Sequence, residues 1–316
     1  MAVQRPCIDG FQLMCEGVRL SASTIAITAR DGFSLVGTLY QPETPNHVTV
    51  LISSATTVAR RYYDKFAQFL KAQGFVVATY DFRGIGESID RRWRGRPASF
   101  RAWAEEDLAG AIDTLTRMFP NNDLMCVGHS MGGTLLGLAP NNQKVAAQLA
   151  LSAQSSYWRN ADDPASRRRL WLLTTILFPA VTPVVGYFPG RLIGSGNWPK
   201  GVALEWARWS RNPDFITDER GAPLREHFER YRGKLRFYVI KDDPYFAPPR
   251  AVAQLASFYR SAEVEIVTRS PEDYGVKAIG HFGFFRSTMP EVAWRETAEW
   301  LRDASPRARR MQASPG

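Results

Sequence analysis

One serine, four histidines and a pair of adjacent aspartates are the residues here whose types and spacing can do chemistry. Residues 124–138 read Leu-Met-Cys-Val-Gly-His-Ser-Met-Gly-Gly-Thr-Leu-Leu-Gly-Leu. Gly128-His129-Ser130-Met131-Gly132 fits G-x-S-x-G, after a short apolar run and before a stretch able to start a helix. That strand–turn–helix context is what a nucleophile elbow needs: a turn so tight that the serine is strained and its hydroxyl stands above the sheet. The flanking glycines leave room where a Cβ would collide with the neighbouring strand or helix. The plainer alternative is a Gly-rich turn with no chemistry.

A serine nucleophile requires a base. His47 opens a strand pattern, His129 sits inside the elbow with a side chain expected to diverge from Ser130, and His227 lies in a charged helical pattern, Leu224 to Arg230, that suggests a solvated surface. His281 remains, in Ala278-Ile279-Gly280-His281-Phe282-Gly283-Phe284-Phe285, a loop-like stretch suited to a pocket mouth. An orienting acid belongs between serine and histidine in chain order. The apolar run Leu235 to Ile240 ends in Lys241-Asp242-Asp243-Pro244, which puts an acid at a strand's C-terminal end, where open α/β sheets place their sites. Asp243 is the first choice and Asp242 the alternative; either also reads as a plain turn aspartate before proline.

The elements that must position these residues follow from periodicity. Thr24 to Arg30 and Ser34 to Tyr40 alternate around Asp31-Gly32, a hairpin signal. His47 to Ile52 is an apolar third strand, followed by Ser53 to Thr57 and a helix ended by Gly74. Phe75 to Tyr80 is a fourth strand, Trp103 to Phe119 a helix, then the elbow strand, its helix, and a strand at Val145 to Ser152. After an interruption come Leu235 to Ile240, a helix near Pro249 to Tyr259, a strand at Val264 to Thr268 and a last helix from Pro290 to Arg302. Strands and helices that alternate in this way predict an α/β, mostly parallel, doubly wound sheet of about eight strands. The expected organisation is an N-terminal extension (1–20), a core (21–153 and 234–303), a mainly helical cap inserted at 154–233, and a disordered basic tail (304–316).

Ser130, Asp243 and His281, in that order, resemble the triad of the α/β-hydrolase superfamily. Thr79-Tyr80-Asp81-Phe82-Arg83-Gly84-Ile85-Gly86-Glu87-Ser88 is similar to the superfamily's D-x-R-G-x-G-x-S turn after the fourth strand. More closely, the chain resembles a little-characterised bacterial group of serine hydrolases with a GHSMGG elbow and an AIGHFGFFR segment. It shares with them Ser156 to Arg159, Gly186 to Gly190, Glu205 to Trp209 and Ala247 to Arg250, over roughly residues 24–303.

The resemblance implies an acyl-serine route. His281 would take the proton of Ser130 as it attacks a carbonyl, Asp243 would fix the imidazole, and backbone N–H groups would hold the oxyanion. Those donors are expected from Met131 and from the loop after the third strand, at Ala55 or Thr56. Asp81 and Arg83 are expected to brace loops. The function implied is hydrolysis of a small-molecule carboxylic ester. Thioesterase, acyltransferase or peptidase chemistry on the same residues stays open, because fold does not fix substrate, and so does a non-catalytic protein that holds a small apolar ligand.

Composition bounds the rest. The 316 residues carry 40 Lys and Arg against 31 Asp and Glu, a formal charge of +9. The arginines are dispersed, with clusters at 91–96, 167–169 and 307–310, and no nucleic-acid-binding motif accompanies them. No metal-ligand spacing and no nucleotide loop is present: Gly84-Ile85-Gly86 is followed by Ile89 where a dinucleotide fingerprint needs glycine, so no cofactor is expected. Cys7, Cys15 and Cys126 make an odd count that fits a reducing cytoplasm, and no signal peptide is recognisable. Leu170 to Gly190 is uncharged and long enough for a membrane span, yet contains Pro179, Pro183 and Pro189, which are expected to interrupt a helix. A lid is the favoured expectation there, rich in tryptophan and lining an apolar acyl pocket, with weak membrane-surface contact as the alternative.

Overall fold

The computed structural model describes residues 22–92 and 94–307. The expected extension 1–20, and the tail beyond Arg307, lie outside the described residues. Ser305 Oγ and the Arg307 N–H both donate to Asp123, at 2.7 Å, which pins the chain as far as Arg307.

The strands are β1 (Ser23–Thr28), β2 (Ser34–Tyr40), β3 (Val48–Ser53), β4 (Val76–Tyr80), β5 (Asp123–His129), β6 (Val145–Leu151), β7 (Tyr187–Phe188), β8 (Trp198–Pro199), β9 (Lys234–Ile240) and β10 (Glu263–Arg269). Eight of them form one sheet in the order β1-β2-β4-β3-β5-β6-β9-β10, while β7 and β8 pair separately. The hairpin β1–β2 and the β2–β4 pair are antiparallel and the remaining pairs in the large sheet are parallel. This is the α/β-hydrolase architecture the pattern predicts. β3 is buried along its whole length, and β5 is buried from Leu124 onward, as befits strands covered on both faces.

Two apolar layers sandwich the sheet. On one face Phe66 and Leu70 of helix Asp64–Ala72, with Trp294 and Leu301 of helix Glu291–Ala304, pack on Val50, Ile52, Met125 and Val127. On the other, the helical stretch Phe100–Met118 packs Trp103, Leu108 and Ile112 against Leu51, Ala78 and Cys126. That stretch starts three residues before the expected Trp103, because Ser99 caps it by accepting from the Ala102 N–H. The helix after the elbow is shorter than its apolar sequence suggests: Met131–Thr134 is α-helical, then Leu135–Leu138 tightens to a 3₁₀ turn before Pro140. Gly132, Gly133 and Gly137 weaken it and Pro140 stops it.

Residues 154–233 lie between β6 and β9 and hold the β7–β8 ladder, helix Lys200–Arg211 and a long helix, Pro164–Val185. The expectation that prolines break the 170–190 stretch is corrected here, for the helix runs through Pro179 and Pro183. For Pro179 the reason is local: Leu173–Leu177 is a π-turn two residues before it, and such a widened turn absorbs the missing N–H and the ring clash that proline brings; Pro183 lies in regular α-helix one turn from the end. The helix ends at Gly186, which adopts φ 85°.

Candidate active site

Ser130 follows the last residue of β5 with φ 53° and ψ −125°, a conformation a side-chain-bearing residue rarely adopts. Its N–H donates to the Leu151 carbonyl of β6 at 2.8 Å, and its own carbonyl accepts from Gly133 at 2.9 Å. The turn is closed so tightly that a Cβ on Gly132 would lie 2.2 Å from the Ser53 carbonyl oxygen, and one on Gly128 2.3 Å from the Gly133 Cα. The sequence's glycines therefore read as steric necessities. The strain is held by packing on both sides.

Asp243 follows the end of β9 and is buried. Its Oδ2 accepts from His281 Nδ1 at 2.6 Å and its Oδ1 from the Phe246 N–H at 3.3 Å. Asp242, half-buried, faces a different partner: its two oxygens accept from the Ile279 and Gly280 N–H groups, at 2.8 and 3.0 Å. The two neighbours thus divide the work, one on the imidazole and one on the loop that carries it.

That loop is held at two more places. The His281 carbonyl accepts from His129 Nε2 at 2.8 Å, and the Phe282 carbonyl accepts from Tyr62 Oη. Because a carbonyl only accepts, His129 carries its proton on Nε2. Its Nδ1 then accepts from Tyr63 Oη at 2.9 Å, and Tyr63 Oη accepts from the Ala55 N–H, also at 2.9 Å. Burial, with His281 nearby, pushes His129 down to about 3, so it stays neutral. The side chain of His129 diverges from Ser130 as expected, and links the elbow, the His281 loop and the loop after β3. Sequence reasoning set it aside; its one signal was a histidine at a fully buried strand end.

The same chain of bonds corrects the oxyanion expectation at Ala55, whose N–H is already spent on Tyr63. The Thr56 N–H has no acceptor among the described residues, and Thr56 Oγ1 is enclosed without a partner. Met131 is the first residue of its helix, so its N–H has no intrahelical acceptor. Both residues line the cavity in question.

That cavity holds about 360 Å³ and is lined by Ser130 and His281 together with Thr56, Met131, Gln154, Tyr157, Arg169, Leu170, Leu173, Ile193, Trp198, Trp206 and Phe246, among others. Phe246 lies over the His281 ring at 4.7 Å. Of the five tryptophans in 154–233, only Trp198 and Trp206 are among the lining residues. Trp209 is fully buried and stacks on Phe100, Trp171 faces outward, and Trp158 lies beneath Arg159. His227 is half-buried with Nδ1 enclosed, not solvated as its charged neighbours suggest. Asp81 and Arg83 do brace loops: Asp81 pairs with Arg60, and Arg83 pairs with Asp31 and Asp107. Cys126 is a buried thiol pushed up to about 12 by desolvation, which leaves it inert.

Residues 42–227, more than half of the chain, match the family model described as serine aminopeptidase, S33. The chain belongs to this family of the α/β-hydrolase superfamily. The match covers Ser130 and ends before Asp243 and His281, so those two rest on the geometry above. Solved structures share the fold. Est1E from Butyrivibrio proteoclasticus, with ferulic acid bound, aligns at 16% identity and TM-score 0.60 over 89% of this chain and 98% of its own. The Pyrococcus furiosus esterase Pf2001 aligns at 16% and 0.56 over 89% and 92%. Brefeldin A esterase, a bacterial homologue of human hormone sensitive lipase, aligns at 17% and 0.58 over 95% and 81%.

Proposed function

We propose that the protein is a serine hydrolase that cleaves a carboxylic ester through an acyl-serine intermediate. The observation that carries this reading is that Ser130, strained at the elbow, shares one largely apolar cavity with His281, whose Nδ1 is bonded to the buried Asp243. His281 Nε2 takes the Ser130 proton as Oγ attacks the carbonyl carbon. Asp243 holds the proton on Nδ1 and stabilises the imidazolium. The N–H groups of Met131 and Thr56 receive the oxyanion. The imidazolium returns its proton to the leaving alcohol, and water repeats the sequence on the acyl-enzyme.

The family name raises a second reading, an aminopeptidase. Such an enzyme must hold a free α-ammonium group, and a buried ammonium needs a counter-charge. Among the described residues the cavity lining contains no aspartate or glutamate, and its one formally charged side chain is Arg169. That favours neutral or acid-bearing esters over N-terminal peptides. The structures named as esterases are consistent with this. We place the protein in a reducing cytoplasm, on the odd cysteine count and the free thiol of Cys126.

The test is labelling by a fluorophosphonate probe together with turnover of p-nitrophenyl butyrate. Wild type should label and turn over; Ser130→Ala should fold, fail to label and lose several orders of magnitude in turnover. Near wild-type turnover in the variant would overturn the assignment.

A further inference from the structure

The helix Pro164–Val185 supplies Leu170 and Leu173 to the cavity, and its outward side carries the wrong residues for contact with water alone. Its buried stripe is Thr174, Phe178 and Thr182, held down where Phe178 stacks on Phe188 at 3.7 Å. The opposite stripe, at the same spacing of four, is Arg168, Leu172, Ile176, Ala180 and Val184, and every one of these is exposed. Val184 is 86% exposed, and Trp171, Val185, Tyr187 and Leu192 add to the same outward apolar surface. A solvated helix shows polar residues there.

Past the exposed Asp162 and Asp163 at the start of the helix, the charge along this surface is positive. From residue 164 to 204 the chain carries Arg167, Arg168, Arg169, Arg191 and Lys200 and no aspartate or glutamate. None of the five pairs with a carboxylate among the described residues. We propose that this outward face docks on an anionic lipid surface and lies along it. Apolar side chains on one side of a helix with unpaired cations at its flanks are what such a surface takes up. A second copy of the chain fits worse, since it would bring unpaired cations, Arg168 and Arg191 among them, against their own copies. Spanning also fits worse, although the helix is long and apolar enough to cross a membrane by length and composition. It would require pulling Phe178 and Thr182 out of the fold. Docking sets the cavity beside the bilayer, so that an ester dissolved in lipid reaches Ser130 without crossing water; that consequence rests on the ester-hydrolysis reading, whereas the docking itself does not.

The experiment is flotation of the full chain with vesicles of phosphatidylcholine alone and of phosphatidylcholine mixed with phosphatidylserine, read for both wild type and Ser130→Ala. Both proteins should float with the mixed vesicles and stay behind with the neutral ones. Arg168→Gln and Arg191→Gln should each weaken partitioning about five-fold. Ile176→Asp combined with Val184→Asp should abolish flotation and leave turnover of a soluble ester unchanged, since neither residue lines the cavity. Absence of flotation with anionic vesicles overturns the proposal, as does flotation that survives the double aspartate change. A concentration-dependent dimer lost in that double variant, without lipid binding, would assign the face to a second copy instead. Should wild type lack ester turnover while Ser130→Ala still floats, the hydrolysis reading falls and the docking stands.

Discussion

Replacing each of the two adjacent aspartates by asparagine separates chemistry from support. Asp243 Oδ2 is 2.6 Å from His281 Nδ1, and an amide there either presents N–H to N–H or forces the other tautomer, leaving Nε2 unable to take a proton. The known cost of that exchange in a serine triad is about 10⁴-fold in turnover. Asp242 accepts two backbone N–H groups, from Ile279 and Gly280. An asparagine keeps one acceptor and turns the other site into a donor, so one charge-assisted bond is lost, about 2 kcal/mol. If all of that free energy went into displacing the His281 loop, the competent fraction would fall by about 30-fold, which sets the ceiling for this variant.

The two substitutions are therefore expected to differ by at least two orders of magnitude in kcat for p-nitrophenyl butyrate. Their order should reverse in urea. Asp242→Asn loses more of its stability, because both its oxygens hold backbone N–H groups of the His281 loop. A result in which Asp242→Asn loses about 10⁴-fold while Asp243→Asn keeps most of its activity would refute the division of roles.

Two further outcomes follow from the geometry. His129 is held at about 3 by burial, below the ordinary histidine value, so the unfolded chain takes up a proton that the folded chain refuses as pH falls from about 6.5 towards 3. Stability should fall over that window by about 1.4 kcal/mol per pH unit from this group, and urea titrations of His129→Asn should show a slope shallower by that amount; equal slopes would exclude a neutral His129. Among p-nitrophenyl esters, kcat/KM should rise from acetate through butyrate and hexanoate by about four-fold per methylene buried against Leu170, Leu173, Trp198 and Trp206, then fall when the cavity is full. A flat series together with no vesicle binding would leave the 154–233 segment a scaffold role only.

The strands of the main sheet and the residues at their ends were legible because each carries its own local signal. An elbow needs glycines where backbone closes on backbone, and those glycines are in the motif. What stayed hidden depends on contacts between segments far apart in the chain. Asp242 and Asp243 look alike in a turn before proline, and only the direction in which each side chain leaves the turn tells them apart. The register of the oxyanion loop was ambiguous because it is decided by Tyr63, eight residues on, which takes the Ala55 N–H. Pro179 misled because its cost assumes an unrelieved α-helical turn, and the π-turn at Leu173–Leu177 relieves it.

The neutrality of His129 has a physical reason of its own. A histidine that bridges Tyr63 Oη and the His281 carbonyl must present one acceptor and one donor, which only the uncharged ring does. Were it protonated, Nδ1 would turn a donor towards Tyr63, and the Tyr63 hydroxyl, which already accepts from the Ala55 N–H, would lose the acceptor for its own proton. The added charge would also stand 5.3 Å, centroid to centroid, from the His281 ring, opposing the imidazolium that forms there when Ser130 attacks. Burial thus does two things with one residue: it ties together the loops on either side of Ser130, and, on the proposed mechanism, it keeps positive charge away from His281 until the reaction creates it. A surface histidine at position 129 would do neither, which is why the elbow's second residue is packed beneath Phe285 and Tyr63 and not turned outward.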